Sequence, residues 1–341
     1  MGRSAPRSGA RLAKRKTGAT RSAPPVAVPA ADSSAQSPAP AALSDTTTEI
    51  ILPAHVPLPP TLPDAPWMAA DAAVVGTAHL RTSPPKPCQD AALADSGKRA
   101  LAILADGAGS AAVSHIGATA VVAGVRRLCR TLEDDLATAL DLDTVTPGLA
   151  ETIACRIVAH AKGLLDDLAE LHLRGPEDFR CTLLVWLSGR QRALWLKVGD
   201  GALVAEADGE CRCIGPAGKG EFANQTCFIG PRLEESQWAW GEIDAVRLSG
   251  LAAMSDGAAE RLVAGDASRV SPAIGKLLRG TAEGQVGRRE VFGLLAEADF
   301  WKGTSGDDKS LALIARNVAS DKETGDNQAC LNPADTVRCN G

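Results

Sequence analysis

Along the middle of the chain, short apolar runs are punctuated by single polar or turn-forming residues. Such runs occupy 72–80, 101–105, 182–187, 193–198, 202–205, 245–248, 251–254 and 310–315, and their lengths predict strands. Two longer stretches carry a helical period instead. Over 118–136, Val121, Val125, Leu128 and Leu132 share one side; over 149–171, Ile153, Ile157, Ala161, Leu164 and Leu168 do the same. Segments 272–278 and 288–300 also predict helices. Strands and helices that cluster, rather than alternate, indicate an α+β fold: a sheet sandwich flanked by helices, not a doubly wound βαβ array.

The flanks break this pattern. Residues 1–66 hold twelve of the 21 prolines, with Ala, Ser and Thr between them. Such sequence cannot bury enough apolar surface to offset the entropy of ordering, so a disordered tail is expected there. The polar, aperiodic 319–341 predicts a second loose end, leaving 67–318 as the folded body. No run of about 18 apolar residues is present, so no membrane span is expected. No apolar segment follows the basic start, so no secretory signal is expected either. Nine cysteines at irregular spacing suit reduced thiols and a cytoplasmic location better than a disulfide framework.

Charge adds an asymmetry. The net charge of −5 conceals seven basic residues and no acid in the first 22 positions; without them, 29 basic residues face 41 acids, a balance of −12. The basic start reads as a solvated tail, an organelle transit peptide, or a tether to nucleic acid or anionic lipid. The acidic body disfavours nucleic acid as a specific partner and suits a chain that gathers cations. The absence of Tyr argues against aromatic platforms for single-stranded nucleic acid.

Three Asp-Gly pairs directly follow apolar runs: Asp106-Gly107 in LAILADG, Asp200-Gly201 in LWLKVGDG and Asp256-Gly257 in LAAMSDG. A fourth, Asp208-Gly209, fits an ordinary hairpin turn. Asp90 in PCQDA and the Asp307-Asp308 pair before SLALIAR are placed like the first three. Carboxylates at so many strand edges are either solvated turns or the oxygen ligands of hard cations.

The ordered set GTAHLRTSPPKPCQDA, LAILADGAGSA, CTLLVWL, LKVGDGALV, GEFANQTCFIG, AAMSDGAAERL and DDKSLALIA resembles the metal-dependent serine/threonine protein phosphatases of the type 2C family, in a bacterial branch. The resemblance covers nearly the whole body and neither tail. It implies a central antiparallel β-sandwich with helices outside, in α-β-β-α layers, and two Mg²⁺ or Mn²⁺ ions at one end. By the same resemblance Asp106 bridges both ions and the Gly107 carbonyl binds one. Asp256 and Asp307 complete the other shell, Asp90 holds water, and Asp200 with Asp256 takes a weaker third ion. Thr182 packs or hydrogen-bonds nearby, and Glu260 stands where relatives often have Asp. The implied reaction is hydrolysis of phosphoserine or phosphothreonine in proteins by a hydroxide bridging the ions, opposing a serine/threonine kinase; the protein is expected to work as a monomer.

This chain departs from the pattern in three places. Gln89 stands where many relatives have a metal-binding Glu, and an amide offers an oxygen without charge. Ala108 stands where some have a His that can protonate the leaving group. The usual phosphate-binding Arg has two candidates here, Arg81 and Lys86, with Arg81 preferred for its bidentate fork. The first two departures leave open a second reading, a catalytically weak or inactive module that binds phosphoproteins or a kinase. His79 is either near the site or in the core, and the 220–230 segment, with Glu221, Asn224 and Thr226, is either a loop over the site or ordinary turn chemistry.

Overall fold

A computed structural model describes residues 67–216, 226–316 and 338–339. The expected tails at 1–66 and 319–341 lie outside the described residues, apart from Arg338–Cys339; Glu221 and Asn224 lie outside them too. The strands are β1 Met68–Val74, β2 Asp90–Asp95, β3 Leu101–Asp106, β4 Leu183–Ser188, β5 Arg192–Val198, β6 Ala202–Ala207, β7 Glu210–Ile214, β8 Ala239–Asp244, β9 Leu248–Met254, β10 Lys309–Ala315 and β11 Arg338–Cys339. The helices are α1 Thr77–Leu80, α2 Ser114–Thr131, α3 Glu133–Leu140, α4 Leu149–His172, α5 Asp256–Leu262, α6 Pro272–Ala282, α7 Arg288–Ala296 and α8 Ala298–Trp301.

The strands form two antiparallel sheets, one ordered β1-β10-β9-β6-β7 and the other β11-β8-β5-β4-β3-β2. Alternation along each strand builds three apolar layers. In β3, Ile103 faces Val121 of α2 and Ile153 and Ile157 of α4, whereas Leu104 joins Trp186, Trp195, Leu203, Leu251 and Ile314 between the sheets. On the far side, Val204, Ala252 and Leu313 meet Ile274, Leu278 and Val291 from α6 and α7. The result is the expected α+β sandwich in α-β-β-α layers. Among the described residues no helix is long and apolar enough to cross a membrane, and Cys88, Cys129, Cys155, Cys181, Cys211, Cys213 and Cys227 are free thiols.

Several boundaries differ from the apolar pattern, each for a local reason. The run expected over 72–80 ends as a strand at Val74, and α1 begins at Thr77. Between them a Cβ on Gly76 would stand 2.5 Å from the Gly306 carbonyl oxygen, so the two backbones meet where no side chain fits. The expected helix over 118–136 breaks at Leu132, and Glu133, Asp134 and Asp135 open α3, where acids suit a helix N-terminus. At the expected strand 245–248 the chain instead turns, the Val246 N–H donating to Asp244 Oδ1 at 2.8 Å, and the strand lies earlier, at Ala239–Asp244. β2 has no counterpart in the apolar pattern, because its small Ala residues are only half buried.

Register carries the strand-end acids to one end of the sandwich. Asp90 pairs with Asp106, Leu104 with Leu184 and Leu183 with Val198 in one sheet. In the other, Val74 pairs with Lys309, Leu311 with Met254 and Met254 with Ala202. The ends of β3, β5 and β9 and the starts of β2 and β10 therefore share one rim.

Candidate active site

Asp90 and Asp106 face each other as cross-strand neighbours, both largely withdrawn from water. Asp106 is aimed from below: its N–H donates to the Thr182 hydroxyl at 2.9 Å, and the Thr182 N–H donates back to the Asp106 carbonyl at 2.7 Å. The next residue must be glycine, since a Cβ on Gly107 would stand 2.7 Å from Ser114 and 2.9 Å from the Gln89 carbonyl oxygen. On the other sheet Asp256 starts α5, its Oδ1 accepting from the Gly257 N–H at 2.6 Å. Ser310 at the start of β10 donates its hydroxyl to Asp90 Oδ2 at 2.7 Å, tying the two sheets together.

The carboxylates feel one another. Burial pushes Asp106 well above the usual range, and the charges of Asp90, Asp256 and Asp307 push it further. Asp90 is raised to about 7, by burial first and then by the Asp308 charge, against the Ser310 and Ser255 hydroxyls. Asp256 is raised to about 6, by burial and then by Asp200 and Asp307. Lys309, at the mouth of β10, does not neutralise them. Its ammonium donates to the Gly257 carbonyl at 2.7 Å and lies 4.4 Å from the Trp301 ring, and burial lowers its pKa against the pull of Glu260, Asp307, Asp256 and Asp90. Among the described residues Asp90 Oδ1 and Gln89 Oε1 are buried without a hydrogen-bond partner. A cluster of mutually repelling acids with unfilled oxygen acceptors fits hard divalent cations.

The structure thus gathers Asp90, Asp106, Asp256 and Asp307. Asp200 joins the edge of the group, accepting from the Thr226 hydroxyl at 2.7 Å, and lines with Asp256 and Glu260 a cleft of about 370 Å³. Glu260 accepts the Ser305 N–H at 2.9 Å and so holds the loop that leads to Asp307. Gln89 is buried, its Nε2 donating to the Ser114 hydroxyl at 2.7 Å. Arg81 is exposed at the end of α1, whereas the Lys86 ammonium donates to the Gly109 carbonyl at 3.3 Å, in the loop just after Asp106. Ala108 is buried, its N–H donating to the Arg180 carbonyl at 3.1 Å.

Sequence reasoning left four residues of this rim without a role. Asp308 is buried and accepts the backbone N–H groups of Gly76 and Gln89, one on each oxygen. Lys309 and Ser310 are polar residues opening a fully buried strand, a signal that was available in DDKSLALIA. Lys197 lines the cleft and donates to the Pro216 carbonyl at 2.9 Å; burial lowers its pKa to about 8, opposed by Asp200.

A helix-flanked double sheet with acids gathered at one rim is the architecture of a recognised phosphatase class. The sequence model of that class, protein phosphatase 2C, matches residues 75–289, well over half of the chain. The chain belongs to the protein phosphatase 2C family. It is 32% identical over 170 residues to serine/threonine-protein phosphatase 3 of Escherichia coli (strain K12), a match covering 48% of this chain and 62% of that protein. The chain thus spans less than two thirds of that relative's length. Among solved structures it shares its fold with serine/threonine phosphatase Stp1 from Staphylococcus aureus (TM-score 0.51, 15% identity, 73% of this chain and 95% of that one). It also shares it with the Mycobacterium tuberculosis phosphatase PstP/Ppp (TM-score 0.50, 15% identity, 74% and 99%). The catalytic domain of a phosphatase PstP in complex with two manganese ions is a further match (TM-score 0.50, 16% identity, 73% and 97%).

Proposed function

We propose that this protein hydrolyses phosphoserine and phosphothreonine in proteins with the help of Mg²⁺ or Mn²⁺. The observation that carries the reading is the convergence of Asp90, Asp106, Asp256 and Asp307, from both sheets, with the first three raised in pKa by burial and by neighbouring acids. Asp106, between the two sheets' acids, would serve two ions, the Gly107 carbonyl one of them, and Asp256 and Asp307 the other; Asp200 with Asp256 would take a weaker third. Two divalent cations held there would neutralise a phosphate dianion and supply an acidified water as nucleophile. Thr182 keeps Asp106 aimed, Ser310 keeps Asp90 aimed to accept a proton from water, and Glu260 steadies the Asp307 loop. Lys86, between α1 and β2 with its ammonium reaching the loop after Asp106, is better placed than Arg81 to meet a substrate phosphate. A serine/threonine kinase must supply such a substrate, which is the expected biological partner.

Gln89 favours a second reading, a module of the same fold that binds phosphoprotein with little or no turnover, because a neutral oxygen replaces a charged ligand. One assay separates the two. Turnover of p-nitrophenyl phosphate and of a phosphothreonine peptide should vanish in EDTA and return with Mn²⁺ or Mg²⁺ but not Ca²⁺, whose longer, looser coordination suits a tight cluster badly. Full activity in chelator defeats the metal reading; binding of phosphopeptide without turnover in any metal selects the second.

A further inference from the structure

We propose that His79 provides a nitrogen donor to the cation held at Asp307, and that it biases this position toward Mn²⁺ over Mg²⁺. The inference rests on the metal-dependent reading above and deepens it.

His79 sits in α1, directly after the Gly76 bend, and is buried. Its two ring nitrogens face two different acids. Nδ1 lies 3.0 Å from Asp308 Oδ1, an ionic contact without hydrogen-bond geometry, and Nε2 lies 3.7 Å from Asp307 Oδ1. One donor atom from each of the three residues lies within 4.8 Å of the others. The two acids are not equivalent. Asp308 is fully enclosed, and its oxygens already hold the Gly76 and Gln89 N–H groups, so it is a fixed anion behind the ring. Asp307 is half exposed, its side chain 48% accessible, and it faces the rim with Asp106 and Asp256.

Carboxylate, imidazole, then an open carboxylate is the order in which proteins present a histidine to a metal. In that order the rear carboxylate's charge raises the ring's basicity, and the front nitrogen donates. The spacing permits it. Two donors about 2.1 Å from one ion stand about 3.0 Å apart at a right angle and about 4.2 Å apart when opposed. The observed 3.7 Å falls between these limits. A second observation marks the same place as incomplete: Asp90 Oδ1, buried and within the field of Asp308, has no hydrogen-bond partner among the described residues, and neither does the buried His79 Nδ1. Imidazole nitrogen suits first-row transition ions, while Mg²⁺ strongly prefers oxygen. A histidine on this ion therefore gains Mn²⁺ more than Mg²⁺.

The test reads the nitrogen directly. The full-length protein is loaded with Mn²⁺ and measured by electron spin-echo envelope modulation, once with ordinary histidine and once with ¹⁵N-histidine. A bound imidazole gives ¹⁴N modulation that the label removes, in unaltered protein, so no variant has to fold. His79→Gln then assigns the signal: modulation should disappear and Mn²⁺ affinity by calorimetry should fall about 10- to 100-fold, as for comparable changes around metal ligands. Mg²⁺ affinity should change by less than about 3-fold, since oxygen donors carry it. Mn²⁺ bound with no histidine nitrogen, or His79→Gln binding Mn²⁺ like the wild type, overturns this inference and leaves the metal reading standing. No Mn²⁺ bound at all, together with turnover that survives EDTA, overturns both.

Discussion

Two places in this molecule bury several acids, and they do it in opposite ways. Around Arg99, the guanidinium reaches Glu133 at 3.0 and 3.2 Å, Asp141 at 2.7 and 3.2 Å and the Ser188 carbonyl at 2.7 Å. Burial works against the arginine's charge, and Asp141 and Glu133 more than offset it, so its pKa rises. That cluster carries its own cation and is complete. At the rim, Asp90, Asp106 and Asp256 are pressed against one another, and Lys309, whose ammonium feels Asp256 and Asp90, hydrogen-bonds a carbonyl instead. The difference separates an acid cluster that holds the fold from one arranged to receive a charge from outside.

The contrast can be broken at either end. Arg99→Met should cost about 3 to 5 kcal/mol of stability in denaturant unfolding, because two mostly buried carboxylates lose their partner. Activity per folded molecule should hardly change; a variant as stable as wild type would show that the Arg99 cluster is not structural. Asp106→Asn should do the reverse. The fold should survive while kcat falls at least about 100-fold, roughly 2.7 kcal/mol in the barrier; equal rates would remove Asp106 from the proposed machinery.

Two smaller effects sharpen the picture. Gln89→Glu adds charge to the rim, and the Ser114 hydroxyl can turn to donate to it. The Mn²⁺ concentration for half-maximal activity should drop about 10-fold, or about 1.4 kcal/mol; no change would place Gln89 outside the ion's reach. The last concerns pH in metal-free protein. Asp256 has a folded pKa of about 6 against 3.8 for the free group. Its contribution is therefore a penalty, absent below about pH 3.8 and complete above about pH 6. Asp256→Asn should raise the Tm in EDTA by a few degrees at pH 8 and by little near pH 4, read by thermal unfolding. A loss of Tm at pH 8 would mean that the carboxylate is paired, not repelled.

Much of this was legible in the residues. The Asp-Gly pairs after LAIL, LWLKV and LAAM announced strand-end carboxylates, and the order of apolar runs announced the layers. What escaped depends on distance in the fold. His79 and Asp308 acquire meaning only when β1 and β10 pair, bringing together residues more than two hundred positions apart. β2 escaped because half-buried alanines leave no period, and β8 because Gly241 interrupts it, where a Cβ would stand 2.8 Å from the Trp195 ring.

Asp308 has a mechanical consequence. One oxygen grips the backbone just past β1, in one sheet, and the other grips the backbone just before β2, in the opposite sheet. This side chain, beside the Ser310–Asp90 bond, thus gauges how far the two sheets stand apart at the rim. Much of the contact between the layers is apolar and can yield to small sliding, but here a displacement would pull one N–H away from its acceptor. The spacing between the acids of the two sheets is in that sense calibrated by a residue that need never touch the substrate.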